Sequence, residues 1–292
     1  KRIKAEEEAL KCADVVITST KQESTFQYAK YSYFSAQKAK VVPPGVDHNN
    51  FHHIHSTTET SGIDRMMNPF LKDLTKPPFL AISRAVRRKN IPSLIEAYGR
   101  SDKLKRKTNL ILILGCRENT SKLDSQQKDV FQDIFEIIDK YNLYGKVAYP
   151  KKHTLDQIPA LYRWAASRGG FFVNPALTEP FGLTLLEASS CGLPIISTHD
   201  GGPKDINSKC ENGLLVDTSD VNKLKNTLEA GINSTQWKSW SRNGIEGVHR
   251  HFSWNMHVRN YLSILNNLHQ QSLKFSSSGI KQSCLKGSSS LI

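Results

Sequence analysis

Two clusters and a turn carry residue types and spacings that chemistry needs. The first cluster is Ser83-Arg84-Ala85-Val86-Arg87-Arg88-Lys89-Asn90, with four basic residues in six positions directly after the apolar run Phe79 to Ser83. A guanidinium and an ammonium at the end of a buried strand can clamp a diphosphate, which carries about two negative charges. Taken alone, such a run is a solvated basic turn. Its place after a buried strand favours the clamp.

The second cluster, Glu179-Pro180-Phe181-Gly182-Leu183-Thr184-Leu185-Leu186-Glu187, follows the apolar run Phe171 to Val173 and opens a helix. The amides of Phe181, Gly182, Leu183 and Thr184 lie where a helix has no acceptors for them, which makes an anion site. Gly182 lets backbone approach a ligand closely. Glu179 in the entering loop and Glu187 one turn into the helix can face one cleft and accept hydrogen bonds from sugar hydroxyls. The plainer reading of Glu187 is an early-helix acid favoured by the dipole. The turn is Asp200-Gly201-Gly202-Pro203, after Ile195 to Thr198. It can line a phosphate or sugar, and it reads first as a tight turn. His153 and His199 also fall at strand ends, without metal-ligand spacing, and read as surface histidines. No GxSxG, Walker loop or HExxH occurs.

The elements that must position these clusters alternate along the chain. Strand candidates are Val15 to Thr18, Val41 to Val42, Phe79 to Ser83, Leu110 to Gly115, Val147 to Tyr149, Phe171 to Val173, Ile195 to Thr198 and Leu214 to Val216. Several are apolar on both faces, as in a helix-covered parallel sheet. Helical patterns run from Asp124 to Tyr141, Asp156 to Ala166, Leu183 to Cys191 (with Gly192 as a left-handed cap), Asp220 to Ile232 (capped by Ser219) and Ser253 to Leu268 (capped by Ser253). The pattern predicts an α/β, doubly wound parallel sheet with its ligand at the carboxyl ends of the strands. His48 to Thr75 shows no periodicity and reads as a loop. Pro43-Pro44-Gly45 marks a boundary. The predicted units are 1–42, 43–268 and a Ser/Lys-rich linker over 269–292, expected to be disordered.

The chain has 292 residues, with 40 Lys and Arg against 27 Asp and Glu, a net charge of +13. That balance favours an anionic partner. A nucleic-acid binder would need interleaved aromatics or a binding motif, and neither is present. The longest apolar stretch, Leu110 to Leu114, is far short of the roughly 20 residues a membrane helix needs. Five scattered cysteines without CxxC spacing argue against a disulfide framework or zinc site, and for a cytoplasmic protein. The opening KRIKAEEEAL is helix-like, has no signal core, and reads as a piece of a longer protein.

Arg84 and Lys89 stand as Arg-x4-Lys, and Glu179 and Glu187 as Glu-x7-Glu. The runs SRAVRRKN and EPFGLTLLE thus resemble the donor-binding half of retaining GT-B glycosyltransferases of family four. AEEEALKCADVVITSTKQE, VVPPGVD, KYNLYGKVAYPKKHTLDQIPALYRWAA, GGFFVNPALTEPFGLTLLEA, GLPIISTHDGGPKDI and NGLLVD narrow the resemblance to the sucrose-phosphate synthase family. The resemblance implies a Rossmann-like nucleotide-sugar domain that transfers glucose from UDP-glucose to fructose 6-phosphate with retention. It implies that Arg84 and Lys89 stabilise the leaving diphosphate, that Glu187 holds the ribose, and that Glu179 meets glucose hydroxyls. Phe181, Gly182, Leu183 and Thr184 would supply amides near glucose and the phosphates. Tyr149, in the loop from Val147 to Lys151, would lie near uracil. No protein nucleophile or cofactor is required, magnesium serving at most as an activator; the leaving phosphate takes the acceptor's proton. An acceptor domain would precede the chain, with residues 1–42 as its end, and a phosphatase-like domain could follow. Sucrose synthase shares both spacings but lacks the YGKVAYPKKH stretch. A non-catalytic nucleotide-sugar module is the alternative of another class, and the intact Arg84, Lys89, Glu179 and Glu187 argue against it.

Overall fold

The inner strands of the main sheet are buried on both faces, and their alternation divides the core in two. The computed structural model describes residues 2–54, 60–115, 117, 121 and 123–286. In chain order the elements are α1 (Arg2–Cys12), β1 (Val16–Thr18), β2 (Ala39–Val41), α2 (Ser61–Met67), β3 (Pro78–Ile82), α3 (Ile91–Gly99), α4 (Asp102–Lys107), β4 (Asn109–Ile113), α5 (Ser125–Lys140) and β5 (Val147–Ala148). There follow α6 (Gln157–Ser167), β6 (Phe171–Asn174), α7 (Leu183–Ser190), β7 (Ile195–Thr198), α8 (Pro203–Cys210), β8 (Gly213–Val216), α9 (Val221–Asn233), α10 (Trp237–His251) and α11 (Trp254–Lys286). Phe79, Ala81, Leu110, Leu112, Phe171 and Val173 point to a core shared with α3, α5 and α9. Leu80, Ile111, Ile113 and Phe172 point the other way, to α2, α6, α7 and α8. Helices on both faces leave no polar side for these strands, which accounts for their continuous apolar runs.

The sheet is parallel, in the order β5-β4-β3-β6-β7-β8. The chain builds outward from β3 through β4 to β5, then returns to lay β6 on the other side of β3. The β3/β6 boundary is the switch point, where the loops diverge and a crevice opens. The doubly wound α/β architecture predicted from the apolar runs is the one observed. A separate pair, β1 and β2, is also parallel.

Several local expectations hold and several do not. Asp124 closes a capping box with Gln127 on α5. Gly192 ends α7 at φ +79°, and Ser253 Oγ accepts from Met256 N at 3.2 Å. The cap of α9 is Asp220, not Ser219: its carboxylate accepts from Asn222 N and Lys223 N, while Ser219 turns back to Asp217. The expected loop from His48 to Thr75 contains α2, and α4, α8 and α10 were not marked by periodicity. In α10 the buried face is Trp240, Gly244, Gly247 and Val248. Two of those four are glycines, so an apolar pattern barely registers. The final helix runs past Leu268, where the apolar pattern ends, to Lys286; 287–292 lie outside the described residues. Serine costs only a few tenths of a kcal/mol per helical position, and no proline interrupts this stretch.

Residues 43–46 and 252–257 run side by side between the two sheets. Val46 N donates to Phe252 O at 2.8 Å, and a His257 ring nitrogen lies 2.9 Å from Pro43 O. A Cβ on Gly45 would stand 2.2 Å from Trp254 N, so only glycine permits this crossing. No helix among the described residues is long and apolar enough to cross a membrane.

Candidate active site

The loop after β3 carries the basic cluster to the switch point. A short 3-10 turn over Arg87–Lys89 ends at Asn90, in the left-handed region at φ 55°. Asparagine tolerates that conformation better than most residues, and its side chain is held at both ends: Nδ2 donates to Thr218 O at 2.9 Å and Oδ1 accepts from Ser93 Oγ at 2.7 Å. The turn aims Lys89 inward. Its Nζ lies 2.6 Å from Glu179 Oε2, with the two side chains only 17 % and 12 % exposed. Asn174, at the end of β6, donates to the same oxygen at 3.0 Å. Among the described residues no donor reaches Oε1, which is left to accept from a ligand hydroxyl. Arg84 is exposed and makes no side-chain hydrogen bond or ion pair among the described residues, while Arg87 is tied to Asp133. Of the four cations, then, Lys89 is committed to Glu179 and Arg87 to Asp133, and Arg84 and Arg88 are exposed and able to meet an anion.

The double glycine resolves as a turn built against the Glu179 loop. Glu179 N donates to Asp200 O at 3.1 Å, and Gly202 N to Glu179 O at 2.9 Å. A Cβ on Gly201, which has φ +108°, would lie 2.0 Å from Glu179 O, and one on Gly202 would lie 2.2 Å from Phe181 O. Thr178 Oγ1 and Gln22 Nε2 clasp the two oxygens of Asp200 at 2.6 and 2.8 Å. Gln22 belongs to the segment after β1, so this clasp ties the two sheets together beside Glu179.

Gly182, at φ +104°, opens α7. Its carbonyl takes the amides of Leu185 and Leu186, so the amides of Leu183 and Thr184 precede the helical ladder and point out of its N-terminus. Glu187 lies a turn further on, in a cleft of about 810 Å³. Ile82, Thr184 and Tyr162 line the same cleft, with Asn49 to His52 forming another wall. The Tyr162 hydroxyl donates to Glu187 Oε2 at 3.2 Å. Burial pushes the Glu187 carboxyl up to about 7, and the tyrosine hydroxyl only partly opposes that rise.

Sequence reasoning placed Arg84, Lys89, Glu179, Gly182, Leu183, Thr184 and Glu187 at one end of adjacent strands, and the structure does the same. Phe181 packs beside Phe252. Tyr149 is not brought to the cleft. Its ring lies 5.0 Å from Phe70 and 5.8 Å from Phe135, under the Arg117 guanidinium. The cleft is lined instead by His153, Leu155, Asp156 and Ile158, a few residues further along the same connection. His153 is therefore a cleft residue rather than an ordinary surface histidine, and burial lowers its pKa. Asn174 could have been found, as the polar end of the run FFVN. Tyr162 could not, since it occupies an apolar position of α6.

The model of glycosyl transferases group 1 matches residues 62–246. The chain belongs to that family. This group 1 chain is 36 % identical over 303 residues to sucrose-phosphate synthase 4 of Arabidopsis thaliana, covering 90 % of the chain and 29 % of that protein. It is likewise 36 % identical to the sucrose-phosphate synthase of Zea mays, covering 28 % of it. The chain thus spans under a third of the length of the curated relatives it matches. Among solved structures, sucrose-phosphate synthase from Thermosynechococcus elongatus superposes with a TM-score of 0.74 at 24 % identity, covering 92 % of this chain and 62 % of the other. Anabaena HepE in complex with UDP-glucose superposes with a TM-score of 0.72 at 20 % identity, covering 91 % and 67 %. At these identities the superpositions establish a shared GT-B fold.

Proposed function

We propose that the chain is the donor-binding half of a sucrose-phosphate synthase, which transfers glucose from UDP-glucose to fructose 6-phosphate with retention. One observation carries this reading. The Lys89–Glu179 pair sits at the β3/β6 switch point, in the loops that also present Arg84 and the N-terminus of α7. Relatives named sucrose-phosphate synthase, 36–37 % identical over 90 % of the chain, favour that acceptor chemistry over other sugar transfers.

In this reading the diphosphate meets Arg84, Lys89 and the amides of Leu183 and Thr184, and the ribose meets Glu187. As the glycosidic bond breaks, negative charge builds on UDP. Fixed cations and amides then stabilise the transition state more than the ground state. Lys89 can turn to the phosphate while Asn174 keeps Glu179 in place beside the glucose. The 1–42 segment is the end of the acceptor domain, which lies upstream. The exposed apolar residues Val258, Tyr261, Leu262 and Leu265 of α11 are the face on which that domain packs.

Calorimetry with UDP at low salt tests the site. Binding is expected for the 292-residue chain. The double change Arg84→Ala, Lys89→Ala should weaken it at least about tenfold, given that each charge-assisted contact contributes about 1.5–3 kcal/mol. Unchanged affinity would remove the diphosphate from this end of the sheet.

A further inference from the structure

We propose that Tyr162 is a positioning residue of the donor site, whose hydroxyl orients the Glu187 carboxylate toward the ribose and couples donor binding to release of a proton. The inference rests on the donor-site reading above and adds to it a residue and a proton.

Tyr162 is fully buried on α6. Phe172 meets its ring edge-on at 5.4 Å, and Phe51, from the segment lining the other wall of the cleft, lies 6.2 Å away. Among the described residues its hydroxyl meets one partner, Glu187 Oε2 at 3.2 Å. Burial and the neighbouring carboxylate raise the phenol well above its ordinary range, so it stays an O–H donor at any working pH. The contact fixes one oxygen of Glu187. Among the described residues no donor reaches Oε1, which is left for a ligand.

Among the described residues no cation pairs with the Glu187 carboxylate. Arg163, on the same helix, gives a guanidinium nitrogen to Asn50 O at 3.1 Å. His153, from the loop after β5, has a pKa lowered by burial, so it is largely neutral near pH 7. His52 and Asp156 line the cleft from its other walls, and Cys191 is a buried thiol at the end of α7. Burial raises the Glu187 pKa to about 7, and the Tyr162 hydroxyl alone lowers it. Before a donor binds, the carboxyl is therefore partly protonated at neutral pH. Two ribose hydroxyls donating to it select the ionised form. Binding must then expel a proton, and affinity must fall as pH drops below about 7.

The test is titration calorimetry with UDP-glucose, whose two diester phosphates do not titrate in this range as the terminal phosphate of UDP does, on the 292-residue chain between about pH 6 and pH 8.5, in two buffers of different ionisation enthalpy. For the unaltered chain we expect affinity to rise with pH to a plateau, with a fraction of a proton released near neutrality. Tyr162→Phe keeps the ring and removes the donor. It should move the midpoint of that rise to higher pH and weaken binding about tenfold at pH 7. Glu187→Gln should abolish the proton release and flatten the profile. In the Glu187→Gln background, where the hydroxyl keeps only a neutral acceptor, Tyr162→Phe should cost much less than it does beside the carboxylate, a non-additivity that a merely structural role would not produce. Circular-dichroism melts establish that each variant is folded. If Tyr162→Phe does not fold, the proton count of the unaltered chain against Glu187→Gln decides, because a release shared by both overturns the coupling. A pH-independent affinity, or full additivity of the two changes, also overturns the proposal. If UDP-glucose fails to bind at every pH, the donor-site reading itself falls. If UDP-glucose binding depends on Arg84 and Lys89 but not on Tyr162, only this inference falls.

Discussion

Glu187 and Glu179 are the same residue type eight positions apart, and folding gives them opposite surroundings. Glu179 receives Lys89 and Asn174 on one oxygen. Glu187 is buried with a neutral hydroxyl and held up to about 7. This makes a stability prediction with a definite sign. A carboxyl whose folded pKa is raised stabilises the fold fully below its ordinary value of 4.5, and loses that contribution as pH rises to about 7. Glutamine cannot ionise and still offers Tyr162 an acceptor. Glu187→Gln should therefore match the unaltered chain in stability near pH 4.5 and exceed it by about 3 kcal/mol above pH 7. Urea unfolding at about pH 5 and pH 8 checks this, and parallel curves at both would show that the carboxylate is not desolvated. The spacing of the two acids was legible in the sequence. Which of them carries a proton was not, because the deciding neighbours come from β6, from the loop after β3 and from α6.

At the scale of elements, the helices that escaped notice are instructive. α10 packs through Gly244 and Gly247, so its contact stripe is a groove rather than a ridge, and hydrophobic periodicity sees only ridges. The two glycines differ in a measurable way. A Cβ on Gly247 would meet the Cys210 Cα at 2.8 Å, whereas one on Gly244 would have the Ser189 Cβ at 3.3 Å. Gly247→Ala should cost about 1–3 kcal/mol by overpacking. Gly244→Ala should stay within about 1 kcal/mol of the parent, since helix propensity offsets the crowding. Thermal melts of the two variants decide it, and equal losses would mean that α10 does not sit as close to α8 as described. The strands behaved differently. Apolar on both faces, β3, β4, β6 and β7 announce themselves within two residues of their observed bounds, because burial on both sides leaves little room for a polar residue until the strand ends.

For the whole molecule, the functional reading divides labour between this chain and residues upstream of it. The 292-residue chain should bind UDP and form no sucrose 6-phosphate, while the full-length protein should form it. A coupled assay on both settles this, and turnover by the shorter chain would place the acceptor site within these residues.

The paired crossing at residues 43–46 and 252–257 has a consequence for how the molecule comes apart. The lobe holding β1 and β2 is joined to the main sheet by one covalent link, but α11 leaves the main sheet and returns alongside that lobe. Asp14, Lys38 and Lys40 share a crevice there with Ile264 and Leu268. A protease that cuts in the exposed turn 47–50 breaks the backbone without freeing the pieces, since Val46 and Pro43 stay paired with Phe252 and His257, and Gln22 with Asp200. Limited digestion should give a nicked species that elutes as a single peak in native buffer and separates only in denaturant. Two peaks in native buffer would show the grip to be too weak. A bond passing through one strand of chain is a tether; doubled back in this way, it becomes a clasp that outlasts its own cleavage.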